Sequence, residues 1–333
     1  MVIGIGYPTF ATLLPVLREG LPESVELLAA ASGEKLPRRD EIEGLIGDAW
    51  FPTPELMPRL RWIHLFNAGF EHVPPRVFDT GWQVTHGGGP AAVPIAEWVV
   101  VSMLFFAHRI RDVLRYEAGR SWTANRVAEM TSSLLRGARV GIIGYGAIGR
   151  EVARLCKAFG MHLIATVGRS RRAQRPTYRT PGTGDPNGEL PDEWFERDRL
   201  RDVLPSMDYV VLGLRAGPDT RHILDREALA RCKPGAIIIN PARGALIDEA
   251  ALIAALVEGR IGGAALDVFE HEPLPPDDPL RDAPNTLISP HCAPESTLFR
   301  QEVVRCAREN LLRFAEGRPL LGVIDRQVWE EAP

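Results

Sequence analysis

At 333 residues the chain is longer than one comfortable hydrophobic core organises, so two domains are the natural expectation. Its formal net charge of −4 excludes the basic footprint of a nucleic-acid or anionic-membrane binder, and no such partner is expected. Cys156, Cys232, Cys292 and Cys306 have no CxxC spacing, so neither a disulfide framework nor a metal site is indicated, and a reducing, cytoplasmic setting is expected.

The N-terminal MVIGIGYPTF lacks a basic region followed by a long apolar one, and no signal peptide is read there. Its VIGIG has the pattern of a buried strand, and PRLRWIHLFNAGFEH reads as a strand running into a glycine turn. The run HGGGPAAVP, His86 to Pro94, breaks regular structure and is the candidate crossing between domains. The most apolar stretch, Ile95 to Ala107, carries Glu97 and is too short to span a bilayer, so it reads as a buried helix. A second α/β series follows: ARVGIIG, MHLIATV, YVVLGL, GAIIIN, GGAALDVF and NTLISP. Such continuous apolar runs suit parallel strands covered on both faces. Ser170 to Asp192, with RTPGTGDPNG at its centre, interrupts the alternation and reads as a long loop.

GYGAIG lies directly after an apolar strand and opens a helix. Gly144 permits the tight turn, Gly146 lets the backbone approach a pyrophosphate, and Gly149 lets the helix pack on the strand. Tyr145, Ala147 and Ile148 complete the turn, whose helix N-terminus offers N–H groups to phosphate. An NAD site would place a carboxylate about 20 residues on. Here that region is Thr166-Val167-Gly168-Arg169-Ser170-Arg171-Arg172, with no acid. Arg169, Ser170 and Arg171 are the candidates for a 2′-phosphate, so NADP(H) is the preferred cofactor, with NAD(H) also admitted. A solvated basic loop beside an NAD site lacking its acid is the alternative.

With VGIIGYGAIG, KPGAIIINPARGALIDEAAL, GGAALDVFEHEPL and SPHCA in order, the chain resembles the D-isomer-specific 2-hydroxyacid dehydrogenase family, particularly its glyoxylate/hydroxypyruvate reductase-like members. The resemblance implies two doubly wound parallel-sheet domains, a Rossmann cofactor domain inserted into a flavodoxin-like substrate domain. The expected boundaries are 1–95 with 290–333 for the substrate domain, and 96–289 for the dinucleotide-binding domain. It further implies that Arg243 binds the substrate carboxylate and polarises the keto oxygen, that Glu272 pairs with the histidine, and that His291 donates and accepts the proton. Asp267 would hold the nicotinamide carboxamide, and the backbone N–H groups of Ala68 and Gly69 would meet the substrate carboxylate. The helix from Ile95 and the segment Gly119 to Arg136 resemble the family's dimer-forming arm, so a homodimer is expected.

The chemistry is consistent with these roles. Hydride addition to a ketone builds negative charge on oxygen, which calls for a proton donor and a fixed cation. A guanidinium grips a carboxylate bidentately, and a carboxylate beside an imidazole orients it and favours its protonated form. Glu270 reads as solvated and His271 as exposed, while His64, His72, His86, His108, His162 and His222 carry no motif and read as structural or surface residues. Trp50, Phe51, Phe66 and Phe70 either border the pocket or fill the core.

The chain departs from the family pattern in four places. Val167 replaces the usual acid, Arg215 stands where a proline is usual and is a candidate for the adenosine end, Pro294 replaces a glycine, and the loop Arg171 to Asp192 is longer than usual. These bear on cofactor choice and substrate shape. The expected reaction is reversible reduction of a small 2-keto acid to the D-2-hydroxy acid. The alternative of another class is a dinucleotide-sensing, corepressor-like binding protein of the same superfamily.

Overall fold

The computed structural model describes residues 1–6, 14–30, 35–47, 50–119, 122, 124–167 and 176–330, with 167, 328 and 330 described by backbone only. Five strands open the chain: β1 (Val2–Ile5), β2 (Glu26–Ala29), β3 (Ile42–Ile46), β4 (Trp62–Leu65) and β5 (Gln83–His86). Seven follow: β6 (Arg139–Ile143), β7 (His162–Val167), β8 (Glu193–Glu196), β9 (Tyr209–Leu212), β10 (Ile237–Asn240), β11 (Gly263–Leu266) and β12 (Thr286–Ile288); β13 (Val323–Ile324) comes last.

The chain divides into two units, Met1–Ala91 with Arg172–Gly182 and Glu295–Pro333, and Ala92–Arg171 with Thr183–Pro294. In the first, the sheet order is β2-β1-β3-β4-β5-β13, parallel except for the antiparallel β13. This is flavodoxin-like order with an added edge strand. In the second, the order β8-β7-β6-β9-β10-β11-β12 is the Rossmann arrangement, parallel throughout. Strands β4, β9, β10 and β11 are buried at every residue, as strands of a parallel sheet covered on both faces are.

Helix Ala92–Ala107 starts three residues before the expected Ile95 and takes in Pro94. Proline is tolerated in a first turn because its missing N–H would have no intrahelical acceptor there. Its buried stripe includes Ile95, Ala96, Val99 and Met103, and it packs on helix Ala147–Ala158, whereas Val101 on the other side is exposed. Among the described residues no single helix is long and apolar enough to cross a membrane.

The predicted long loop splits between the two units. Residues 176–182 join the first, where the hydroxyls of Tyr178 and Thr180 each donate to Glu302 Oε2 at 2.9 Å and Gly322 N–H donates to the Pro176 carbonyl at 2.7 Å. Residues from Thr183 onward join the second. Of the four aromatics expected at the pocket or in the core, Phe66 and Phe70 are core residues and Phe51 packs against the core.

Candidate active site

The glycine turn lies where the strand order of the second unit reverses, between β6 and β9. Gly144 has φ 107°, and a Cβ there would stand 2.5 Å from the Gly213 carbonyl carbon. Only glycine allows that approach. Its N–H donates to Thr166 Oγ1 at 2.7 Å, tying the turn to β7. Gly149 is equally confined, against the Gly144 carbonyl oxygen. Gly146 differs: it has extended backbone, and a Cβ there would meet nothing within 4 Å. Among the described residues nothing requires glycine at this position, whereas an approaching phosphate would. Helix Ala147–Ala158 has no side-chain cap, so the N–H groups of its first turn face the same opening. The turn therefore fits a dinucleotide pyrophosphate.

Tyr145 can offer only its backbone to such a ligand. Its hydroxyl donates to Asp185 Oδ2 at 2.6 Å, Trp194 meets its ring edge-on at 4.9 Å, and the Arg150 guanidinium lies over the ring at 4.8 Å. Burial pulls the Asp185 carboxyl upward, but the bonds from Tyr145, Leu190 N–H and Glu189 N–H, with the Arg150 charge, outweigh it and hold the group below its ordinary value. Arg169, Ser170 and Arg171 lie outside the described residues. Arg215 is exposed just beyond β9, where its carbonyl accepts from Thr220 Oγ1 at 2.9 Å.

The loops beyond β10, β11 and β12 carry Arg243, Glu272 and His291. Ligand sites of open parallel sheets lie at these carboxyl ends. In the NPARG turn the Asn240 side chain accepts from Ala242 N–H at 3.1 Å and donates to the Arg243 carbonyl at 2.8 Å. Arg243 is half-buried, with Nη1 donating to the Ala242 carbonyl at 2.7 Å. Gly244 brings this turn onto the next loop: a Cβ there would overlap the Phe269 carbonyl and stand within contact of Glu270 N.

Glu272 and His291 do meet. Nδ1 of His291 lies 2.7 Å from Glu272 Oε2, while Oε1 accepts from Phe269 N–H at 3.0 Å. His291 holds φ 50°, in the left-handed region uncommon for side-chain-bearing residues. Asp267 stabilises that turn. Its carbonyl accepts from His291 N–H at 2.8 Å, and its carboxylate accepts from the Ser289 hydroxyl at 2.6 Å and from Cys292 and Ala293 N–H at 2.9 Å each. The carboxylate expected to hold a carboxamide is thus engaged by three protein donors, with acceptor capacity remaining on Oδ2.

Ala68 and Gly69 lie in the first unit, just beyond β4, in a loop whose Asn67 carbonyl accepts from Gly87 N–H at 3.0 Å. Glu270 corrects the expectation of a solvated side chain: its Oε1 lies 2.7 Å from His222 Nε2 and 3.1 Å from Arg221 Nη2, which gives His222 a structural role. Asn240, Gly244 and Thr166 were missed. Asn240 and Gly244 lie inside the NPARG motif and Thr166 lies beside Val167, yet their roles depend on contacts that no periodicity reports. Among the described residues no group of three or more His, Cys, Asp or Glu could hold a metal ion.

Residues 100–293 match the family model described as D-isomer specific 2-hydroxyacid dehydrogenase, NAD binding domain. The chain is 33% identical over 276 residues to a glyoxylate reductase of Aeropyrum pernix, covering 81% of this chain and 78% of the relative. It is 31% identical over 281 residues to a glyoxylate reductase of Korarchaeum cryptofilum, covering 84% and 80%. The crystal structure of a D-isomer specific 2-hydroxyacid dehydrogenase from Xanthobacter autotrophicus Py2, in complex with NADPH and MES, superposes with a TM-score of 0.75 at 26% identity, covering 98% of each chain.

Proposed function

The chain belongs to the D-isomer-specific 2-hydroxyacid dehydrogenase family, and from that premise we propose how its site works. It is an NAD(P)-dependent enzyme that reversibly reduces a small 2-keto acid to the hydroxy acid. The bound dinucleotide supplies the hydride. Arg243 grips the substrate carboxylate and draws electron density toward the keto oxygen. His291 gives its Nε2 proton to that oxygen as the alkoxide forms, and Glu272 at Nδ1 balances the imidazolium and fixes the ring. The amides of Ala68 and Gly69 are assigned to the substrate carboxylate, and the free acceptor capacity of Asp267 to the carboxamide.

The observation that carries this reading is the 2.7 Å Glu272–His291 pair, on a loop into which Gly244 wedges the Arg243 turn. NADP(H) is the preferred cofactor: no carboxylate lies between Thr166 and Arg172, and the Xanthobacter relative is described with NADPH. A homodimer through the second unit is supported by the exposed Val101, Leu114, Trp122, Val127 and Leu134, apolar surface that a second copy would cover. Sedimentation at micromolar concentration should give twice the chain mass. A cytoplasmic setting is supported by four cysteines that form no disulfide.

The test is a panel of 2-keto acids, including glyoxylate and hydroxypyruvate, with each reduced dinucleotide, followed by loss of nicotinamide absorbance. Turnover of a small 2-keto acid is expected. Dinucleotide binding without turnover of any of them would favour the sensing role.

A further inference from the structure

The catalytic loop carries two carboxylate–imidazole pairs. Glu272 faces His291; two residues earlier, Glu270 Oε1 stands 2.7 Å from His222 Nε2 and 3.1 Å from Arg221 Nη2. The second pair is only about one-fifth exposed at the carboxylate, so it is not an ordinary surface contact. His222 itself is pinned, its N–H donating to the Ala245 carbonyl at 2.8 Å, and it holds φ 48°.

The Glu270 side chain leaves the backbone at the Phe269–Glu270 peptide. On one side Gly244 lies against this peptide so closely that no Cβ fits. On another, Glu270 N–H donates to Glu249 Oε1 at 2.7 Å. Burial pushes the Glu249 carboxyl up, and the charges of Glu270 and Asp278 add to that, against the Glu270 N–H and His271. On the Phe269 side, the N–H donates to Glu272 Oε1 and so turns Oε2 toward His291. Two catalytic elements, the Arg243 turn and the Glu272–His291 pair, therefore rest on one short piece of backbone. From that backbone the Glu270 side chain reaches to His222 and Arg221.

We propose that Glu270, through His222 and Arg221, is a positioning residue for the reaction: it sets the seat from which Glu272 orients His291 and against which Arg243 is placed. It touches no reacting atom. Release of this tether lets the Phe269–Glu270 peptide move by about an ångström. Glu272 then holds the imidazolium less well, and Arg243 grips the substrate carboxylate from a displaced turn.

The inference rests on the proposed activity, and its test separates the two. Glu270→Ala should lower kcat with the best 2-keto acid by about 10- to 100-fold, as displacements near an ångström do, and raise its KM. The alkaline limb of the reduction profile should move to lower pH, because an imidazolium with a weakened carboxylate partner loses its proton sooner. NADPH affinity, read by fluorescence titration, should stay the same, since the glycine turn is untouched. Glu270→Gln, which keeps the shape and an acceptor oxygen, should recover most of the activity. If Glu270→Ala does not fold, His222→Asn carries the test, since asparagine accepts a left-handed φ and the same limb shift is expected. An unmoved alkaline limb in the variant that folds, with or without a fall in kcat, would overturn the positioning role. Wild-type protein that turns over no 2-keto acid would instead remove the activity reading.

Discussion

Asp267 holds His291 by two separate means: its carbonyl accepts the His291 N–H at 2.8 Å, and its carboxylate gathers Ser289 Oγ and the N–H groups of Cys292 and Ala293. Through these bonds a buried aspartate keeps a histidine at φ 50° facing Glu272. Asp267→Asn replaces an acceptor-only group with one that must present two hydrogens in the same shell. It should cost about 1–3 kcal/mol of stability, the range for a buried polar group left unsatisfied. kcat should fall with it. Urea unfolding and steady-state kinetics on the same preparation check both; an unchanged unfolding midpoint would mean the loop is held by other contacts.

His291→Asn tests the proton donor without disturbing that backbone, because asparagine tolerates left-handed φ. kcat for keto-acid reduction should drop by about 10²- to 10⁴-fold, the usual worth of a positioned acid. NADPH binding should persist. Near-native kcat would remove His291 from the mechanism.

Arg243→Lys keeps the charge and loses the planar fork. Since one guanidinium serves both the bound substrate and the developing alkoxide, KM should rise and kcat fall together. A change in neither would place the anchor elsewhere.

Two glycines of the phosphate turn should separate cleanly. Gly146→Ala adds a methyl where none of the described residues stands within 4 Å, so stability should stay within about 0.5 kcal/mol while NADPH binding weakens about tenfold or more. Gly149→Ala forces a methyl onto the Gly144 carbonyl and should cost about 1–3 kcal/mol in folding. Thermal melts and dinucleotide titrations of both variants decide this. Arg169→Ala with Arg171→Ala should erode the ratio of kcat/KM for NADPH over NADH, chiefly through KM. A wild-type ratio of one or less would contradict the assigned preference.

His64, fully buried in the first unit, is pushed down to about 3 by burial and secondarily by the nearby His86. The folded state therefore keeps it neutral, while the unfolded chain takes up a proton below about pH 6.5. This contribution to stability is complete above that value. It is lost as pH falls toward 3, at about 1.4 kcal/mol per unit. Urea unfolding across this window should show the slope, and His64→Leu should reduce it by one proton; equal slopes would show that His64 is not the group responsible.

Reading along the chain located the site's parts because those parts are local. GYGAIG is a strand end, a turn and a helix start within one stretch, and the runs IIIN and TLIS announce the strands whose ends carry Arg243 and His291. Apolar runs of parallel strands and the turn chemistry of glycine are properties of neighbours in sequence, so the two-unit α/β architecture was legible from them. Tertiary structure alone decided which groups meet. It spends Tyr145 on Asp185, 40 residues away, and Glu270 on His222, 48 residues away. It also turns Asp267 into the support of His291, and it makes Gly244 a spacer between two loops. None of these has a periodic signature, because hydrogen bonding and steric exclusion act on atoms brought together by the sheet order, and one-dimensional spacing does not carry that order.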